Sequence, residues 1–250
     1  MPDVLYAIDT SFDDVTLAKA RAVREAGIEL ALQCLWTGAQ QPPHRVTNLR
    51  NYANAGLLIG AYASLPTNAT DGHPHVAAAR AGVPNDLWDS LVRCAVDVEL
   101  DGITPPAIRG AVDDLTRLAM PATIYTNLNT WLHKLGDPHD FTDCELWNAW
   151  WDEDPTDRDF DANPYGGWRP DQVLAEQYSG GHQVAGVYAD RNVFFVSRAQ
   201  LLGQPTLAIV NASTGLLHLR IAVLEHGIDA LRRGDPTALR AVAAYMGATP

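Results

Sequence analysis

Along the first half of the chain, short apolar runs alternate with longer stretches whose apolar residues recur every three or four positions. Val4–Asp9 reads as a strand, and Val15–Ala26 as a helix stopped by Gly27. Ile28–Leu35 is strand-like, Val46–Ala55 helical, and Leu57–Ser64 strand-like again. A helical pattern covers Val76–Val92 with a break near Pro84; Cys94–Leu100 is a strand, Pro106–Ala119 a helix and Ala122–Thr126 a strand. This βαβα rhythm predicts a parallel sheet covered by helices. The second half changes character: Leu146–Trp150, Val173–Tyr178 and Val184–Tyr188 read as strands joined mostly by loops rich in Gly, Pro and Asp. The expected class is α/β, an irregular (β/α)8 barrel of the TIM type whose later strands lack helices. An open doubly wound sheet is the alternative. No G-x-G-x-x-G or P-loop follows the first strand in "AIDTSFDDV", so nucleotide binding has little support.

From about Asn211 the pattern becomes that of an appendage. Leu216–Leu231 is an amphipathic helix, and Asp235 with Pro236 opens a second that ends at Gly247. The division expected is therefore residues 1–210 as the barrel and 211–250 as a helical extension. Its apolar faces would pack back on the barrel or meet a protein partner or second copy.

Composition narrows the classes. A chain of 250 residues, 47% hydrophobic and 19% charged, can bury one large core. A net charge of −12 argues against nucleic acid as the partner. No apolar run reaches the roughly 18–20 residues of a membrane span. "MPDVLYAIDTSF" has no basic start or cleavable apolar stretch, so no signal peptide is expected and synthesis in the cytoplasm is. Cys34, Cys94 and Cys144, odd in number and without metal-ligand spacing, read as buried free thiols.

In such a barrel the active site forms at the C-terminal ends of the strands. Asp9 ends the first predicted strand, Tyr62 lies near the end of the third, and Asp97 and Glu99 end the fourth. Tyr125 ends the fifth, Trp147 and Trp150 lie on the sixth, Gln177 and Tyr178 end the seventh, and Asp190 follows the eighth. In "AVDVELDG", strand alternation sends Asp97 and Glu99 to one face. Crowded carboxylates resist joint ionisation, so one of them holds a proton near neutral pH. A protonated acid beside an ionised one suits glycosidic bond cleavage, and aromatic rings suit sugar faces. A buried structural network or a metal site would use the same acids.

The order of these pieces resembles glycoside hydrolase family 25, the lysozymes of the Chalaropsis type found in bacteria and their phages. "AIDTS", "AGLLIGAY", "VDVE", "IYTN", "LWNAWW", "EQYSG" and "ADRNVF" follow the family's order from Ala7 to Phe194. The resemblance implies hydrolysis of the β-1,4 bond between N-acetylmuramic acid and N-acetylglucosamine in peptidoglycan. It makes Glu99 the acid/base, Asp97 its assistant at the N-acetyl group or the oxocarbenium-like state, and Asp9 and Asp190 further cleft carboxylates. Tyr62 and Tyr125 match sugar-contacting positions, and neither a metal nor an organic cofactor is implied. A phage lysin or virion-associated enzyme acting on the bacterial wall is the expected setting. A non-catalytic carbohydrate-binding or structural barrel of a phage particle is the alternative. The chain departs from the family at Glu176, where Trp is common, at Ala63 and Ser64 after Tyr62, and in the first loop.

Other polar stretches have plainer readings. In "DEDPTDRDFDANPYGGW", Asp157, Asp159 and Asp161 begin a calcium-loop spacing. Ala162 and Trp168 stand where that loop needs Gly and Glu, so a solvated loop is expected. His73 and His75 have no third ligand nearby and read as a surface loop. Trp150 and Trp151 should face opposite ways, and the sugar platform is assigned to Trp147 or Trp150.

Overall fold

Alternation along Leu5–Thr10 (β1) sends Leu5 and Ala7 into one apolar cluster and Ile8 into another, the first sign of a sheet with two buried faces. The computed structural model describes residues 4–202. In it eight strands close into a barrel in sequence order. After β1 come α1 (Leu17–Glu25), β2 (Leu30–Trp36), α2 (Arg45–Asn54) and β3 (Leu58–Ser64). Then follow α3 (His73–Arg80), α4 (Asn85–Trp88), β4 (Leu91–Asp97), α5 (Pro105–Arg117) and β5 (Ala122–Thr126). The second half holds β6 (Glu145–Ala149), β7 (Val173–Val184), β8 (Val187–Phe194) and α6 (Arg198–Leu201). A π-helical turn, Asn129–Lys134, and two short 3-10 turns stand where later helices would be. The barrel with irregular later connections is thus present, and the open doubly wound sheet is not.

Local chemistry accounts for the helix ends. Thr16 Oγ1 accepts from Lys19 N at 3.3 Å to open α1, and Gly27 follows its end with φ +91°. Thr104 caps α5 and prolines occupy its first turn. The outward faces of the strands pack on the helices through Ile8, Leu35, Tyr52, Ile59, Val96, Ile108 and Leu115. The barrel interior is filled by Leu5, Leu30, Leu32, Leu58, Trp147 and Phe194. At its floor Arg93 makes a two-pronged ion pair with Glu145, at 2.7 and 3.1 Å.

Three expectations change. The helical pattern over Val76–Val92 is two short helices, and Leu91 and Val92 already belong to β4, which stops at Asp97. His73 and His75 form the first turn of α3, not a loop: His73 Nδ1 is 2.9 Å from Asp114 Oδ2, and Trp36 Nε1 donates to His75 Nδ1 at 3.1 Å. The strand expected at Val184–Tyr188 is a hairpin turn. Val184 pairs with Val187 across Ala185 and Gly186, whose φ values of +50° and +82° suit a tight two-residue turn. β8 therefore runs antiparallel to both β7 and β1 in an otherwise parallel barrel. Ala185 in a left-handed conformation disguised that turn, because Asn or Gly is its usual occupant.

The helices Leu216–Leu231 and Asp235–Gly247, and with them the 211–250 extension, lie outside the described residues. Among the described residues no helix is long and apolar enough to cross a membrane. All three cysteines are buried and unpaired.

Gly72, buried just before α3, shows how tightly α5 packs: a Cβ there would lie 2.0 Å from Ala107 O and 2.6 Å from Ala111 N. Both are backbone atoms of a helix and cannot rotate away. Gly72→Ala should cost about 3 kcal/mol, lowering Tm by roughly 6–12 °C in a thermal melt. An unchanged Tm would show that the two helices separate freely.

Candidate active site

β1, β3, β4 and β5 end on one rim of the barrel, and because β8 is reversed its early residues reach the same rim. Asp190 lies inside β8, where it pairs in register with Asp9 of β1; it does not follow the last strand. Asp9 is 5% exposed, and its Oδ2 accepts from Gln177 Nε2 and Asn192 Nδ2, each at 2.9 Å. Gln177 Nε2 also lies 3.5 Å from Asp190 Oδ2, and Gly181 N donates to Asp190 Oδ1 at 2.5 Å. Asp97 Oδ2 accepts from Ser64 Oγ at 2.5 Å. Glu99, two residues past the end of β4, accepts from Asn127 Nδ2 at 3.2 Å.

Gln177 is the hub of this arrangement and is 2% exposed. Its Oε1 accepts from Tyr125 Oη at 2.8 Å and Trp151 Nε1 at 2.7 Å while its amide hydrogens serve the two aspartates. A carboxamide offers two donors and two acceptor positions, so all four are used and its orientation is fixed. Asn192 does the same on a smaller scale, accepting from Trp147 Nε1 at 2.8 Å while donating to Asp9.

Burial dominates the electrostatics. It pushes the Asp9 carboxyl up to about 7, helped by the charge of Asp190 and opposed by the donors Asn192 and Gln177. Asp97 is likewise pushed to about 7 by burial and then by Glu99, with Ser64 opposing. Glu99 is raised by burial and by Asp190 against Asn127, Tyr125 and Lys134. Asp190 is raised by burial, with Gly181 N and His182 pulling it down. With Asp9 and Asp97 each raised to about 7 and Glu99 and Asp190 raised as well, the cluster holds on to protons that isolated carboxyls would have lost. The Tyr125 hydroxyl has one proton and gives it to Gln177.

The aromatic residues divide. Tyr62, half-buried, and Tyr125, 6% exposed, stand at the rim above Trp147, with ring centroids 6.2 and 4.6 Å from it. Trp147 itself is 2% exposed and spends its N–H on Asn192, so it supports the rim from within and offers no open face. Trp150 is half-buried, and its backbone N–H donates to Gln177 O at 3.0 Å. Tyr178, next to the hub, is half-buried near Arg191 and Tyr6 and makes no side-chain bond to the acids. Trp151 is the one with an open face, 66% exposed with its N–H on the hub.

Ser64, Asn127 and Asn192 bond the acids directly and Trp151 bonds Gln177, and strand-end reasoning passed over all four. Asn127 and Asn192 sat in the quoted "IYTN" and "ADRNVF". Glu176, the family departure, faces away from the rim; it is fully buried, accepts from Asn148 Nδ2 at 2.9 Å and is pushed to about 7 by burial. In the acidic loop, carboxylate oxygens of Asp152, Asp157 and Asp159 lie within 4.8 Å of one another, whereas Asp161 lies 3.9 Å from Arg158. The calcium-loop spacing therefore does not describe which acids meet.

Comparison with solved structures then places this geometry. A bacterial lysozyme from Streptomyces coelicolor superimposes with a TM-score of 0.67 at 21% identity, over 80% of this chain and 95% of that one. The fold is that of the family 25 lysozymes. A family 25 lysozyme from Aspergillus fumigatus matches with a TM-score of 0.65 at 17% identity, over 79% of this chain and 97% of that one. The catalytic domain of an endolysin from a Listeria monocytogenes bacteriophage matches with a TM-score of 0.58 at 11% identity, over 81% and 96%. No protein-family model and no curated protein matches the sequence.

Proposed function

We propose that this chain is a peptidoglycan hydrolase, an N-acetylmuramidase that cleaves the β-1,4 bond between N-acetylmuramic acid and N-acetylglucosamine. The observation that carries the reading is the Glu99 carboxyl. Burial holds it towards the protonated form at the rim, beside Asp97 and opposite Asp9 and Asp190, on a lysozyme fold. Glu99 gives its proton to the glycosidic oxygen as the bond to the anomeric carbon breaks. Positive charge then develops on the sugar ring. Asp97, set against Glu99, stabilises it directly or orients the N-acetyl group towards the anomeric carbon. Water completes the hydrolysis, leaving a new reducing end and returning a proton to Glu99. Asp9 and Asp190, held by Gln177 and Asn192, shape the cleft, and Asp190 helps burial hold the Glu99 proton. Tyr62 and Tyr125 line the sugar site.

The glycan strand is the partner, and the wall of a bacterium the place of action. The endolysin among the solved structures of this fold supports a phage lysin or virion component. With −12 net charge, affinity for an anionic wall polymer must come from contacts in the cleft, not from long-range attraction.

Purified peptidoglycan should release new reducing ends, with N-acetylmuramic acid at the reducing terminus of the muropeptides seen by mass spectrometry. No reducing ends, under conditions where a control lysozyme works, would overturn the reading in favour of a non-catalytic saccharide-binding barrel.

A further inference from the structure

We infer that the Trp151 indole is a stacking platform for a pyranose ring of the glycan, wired through Gln177 to the carboxylates beside it. The inference rests on the muramidase reading for the identity of the saccharide. It rests on the site's own geometry for the platform.

Trp151 is the most exposed large hydrophobic side chain among the described residues. An exposed indole is normally free to move, but this one is fixed from several directions. Its segment is stapled to β7 on both sides, by Trp150 N to Gln177 O and Glu153 N to Tyr178 O, each 3.0 Å. Its edge is anchored by the 2.7 Å bond from Nε1 to Gln177 Oε1. Below the ring lies Gly180, where a Cβ would come within 2.9 Å of Trp151 Cζ2 and 3.0 Å of Cη2. The backbone of β7 is thus the floor on which the indole lies, and only glycine leaves room for it. Glu153, in a left-handed conformation at φ +67°, turns the chain so that its carboxylate accepts from Ser179 Oγ at 2.7 Å and meets His182 Nε2 at 3.2 Å. Strain in a non-glycine residue persists where surrounding bonds over-determine it.

One face of a large apolar ring is therefore held open to solvent at the mouth of the acid cluster. An anionic ligand would meet the carboxylates of Asp190 and Glu153 there. A neutral pyranose fits: its C–H face covers the indole and its hydroxyls donate to the surrounding carboxylates. The two ends of the indole then have separate duties. The ring face binds sugar, and the N–H helps fix the amide that holds Asp9 and Asp190, which makes Trp151 a positioning residue as well.

Three variants separate these duties: Trp151→Ala loses both, Trp151→Phe keeps a ring face without the N–H, and Gly180→Ala disturbs the floor without touching a polar group. Saccharide binding is measured by calorimetry with a tetrasaccharide of N-acetylglucosamine, in a Glu99→Gln background that prevents turnover. Kinetics on peptidoglycan are measured in parallel with Glu99 intact. Trp151→Ala and Gly180→Ala should weaken binding and raise KM about tenfold or more, the size expected for a buried aromatic anchor. Trp151→Phe should bind within about threefold of the parent, lose the fluorescence change that saccharide causes in the parent, and show a lower kcat with a shifted pH profile. A parent that does not bind the tetrasaccharide, or a Trp151→Ala chain that binds it as tightly as the parent, overturns the platform. If the parent binds through Trp151 but releases no reducing ends, the platform stands and the muramidase reading falls. If it hydrolyses peptidoglycan with KM unchanged in Trp151→Ala, the reverse holds.

Discussion

Replacing Glu99 by Gln should lower kcat on peptidoglycan by about 10²–10⁴-fold, the range a general acid supplies, and leave the fold intact. Gln keeps the shape and can still accept from Asn127, so the barrel loses no hydrogen bond at that oxygen. What disappears is the transferable proton. Because burial and Asp190 raise the Glu99 pKa, activity should fall as pH rises through that value, and it should fall again on the acidic side as Asp97 takes up a proton and loses its charge. The measurement is kcat/KM against pH for the parent, and circular dichroism with a melting curve for the variant. Substantial activity in a folded Glu99→Gln chain would remove Glu99 from the acid role.

Neutralising Asp97 or Asp9 should move activity and stability in opposite directions. Both carboxyls are raised from 3.8 to about 7 in the folded chain. Between about pH 4 and 7 the folded protein therefore binds protons that the unfolded chain has released, so stability falls as pH rises through that window. The favourable contribution is complete below about pH 4 and lost above about pH 7. Asp97→Asn removes the titration while its side-chain oxygen still accepts from Ser64. At pH 8 that variant should be more stable than the parent by on the order of 2 kcal/mol, with the difference vanishing near pH 4. Its kcat should nevertheless drop about 10²-fold or more, since the charge that stabilises the developing cation is gone. Denaturant titrations at the two pH values test the first half, and reducing-end assays the second. A variant less stable than the parent at pH 8 would mean the carboxylate is satisfied in the fold, against the mechanism.

That trade is what a functional site looks like from the side of folding. A purely structural core would carry neutral residues at these two positions, and the expected result of the two aspartates is lower stability near neutral pH. Gln177 and Asn192 limit the penalty by aiming amide hydrogens at Asp9, and Ser64 aims its hydroxyl hydrogen at Asp97.

Several of these residues were legible before any coordinates. Asp9, Asp97 and Tyr125 end strands whose apolar alternation is plain, and closing the barrel brings those ends together. Glu99 was legible from its two-residue offset from Asp97, although β4 itself stops at Asp97. Trp147 offers no open face because a strand end names a height in the barrel and not how open a side chain is there. Trp147 sits under its neighbours at 2% exposure, and Tyr178 adjoins a register shift in β7 between Gln177 and Ser179. A shift of this kind breaks the two-residue alternation on which side-chain direction was judged.

By itself the sequence determined seven of the eight strands, the helical cover of the first half and the acids available for chemistry, because these follow from periodicity and residue type within a few neighbours. Tertiary structure alone decided that β8 runs antiparallel and lifts Asp190 to the rim beside Asp9, and that one amide, Gln177, joins Asp9, Asp190, Tyr125 and Trp151. It alone left the Trp151 ring open while burying Trp147. The reason is distance along the chain. Asp9 and Gln177 are separated by 168 positions, and no local preference reports which groups a closed barrel will bring within a hydrogen bond or how dry their surroundings will be.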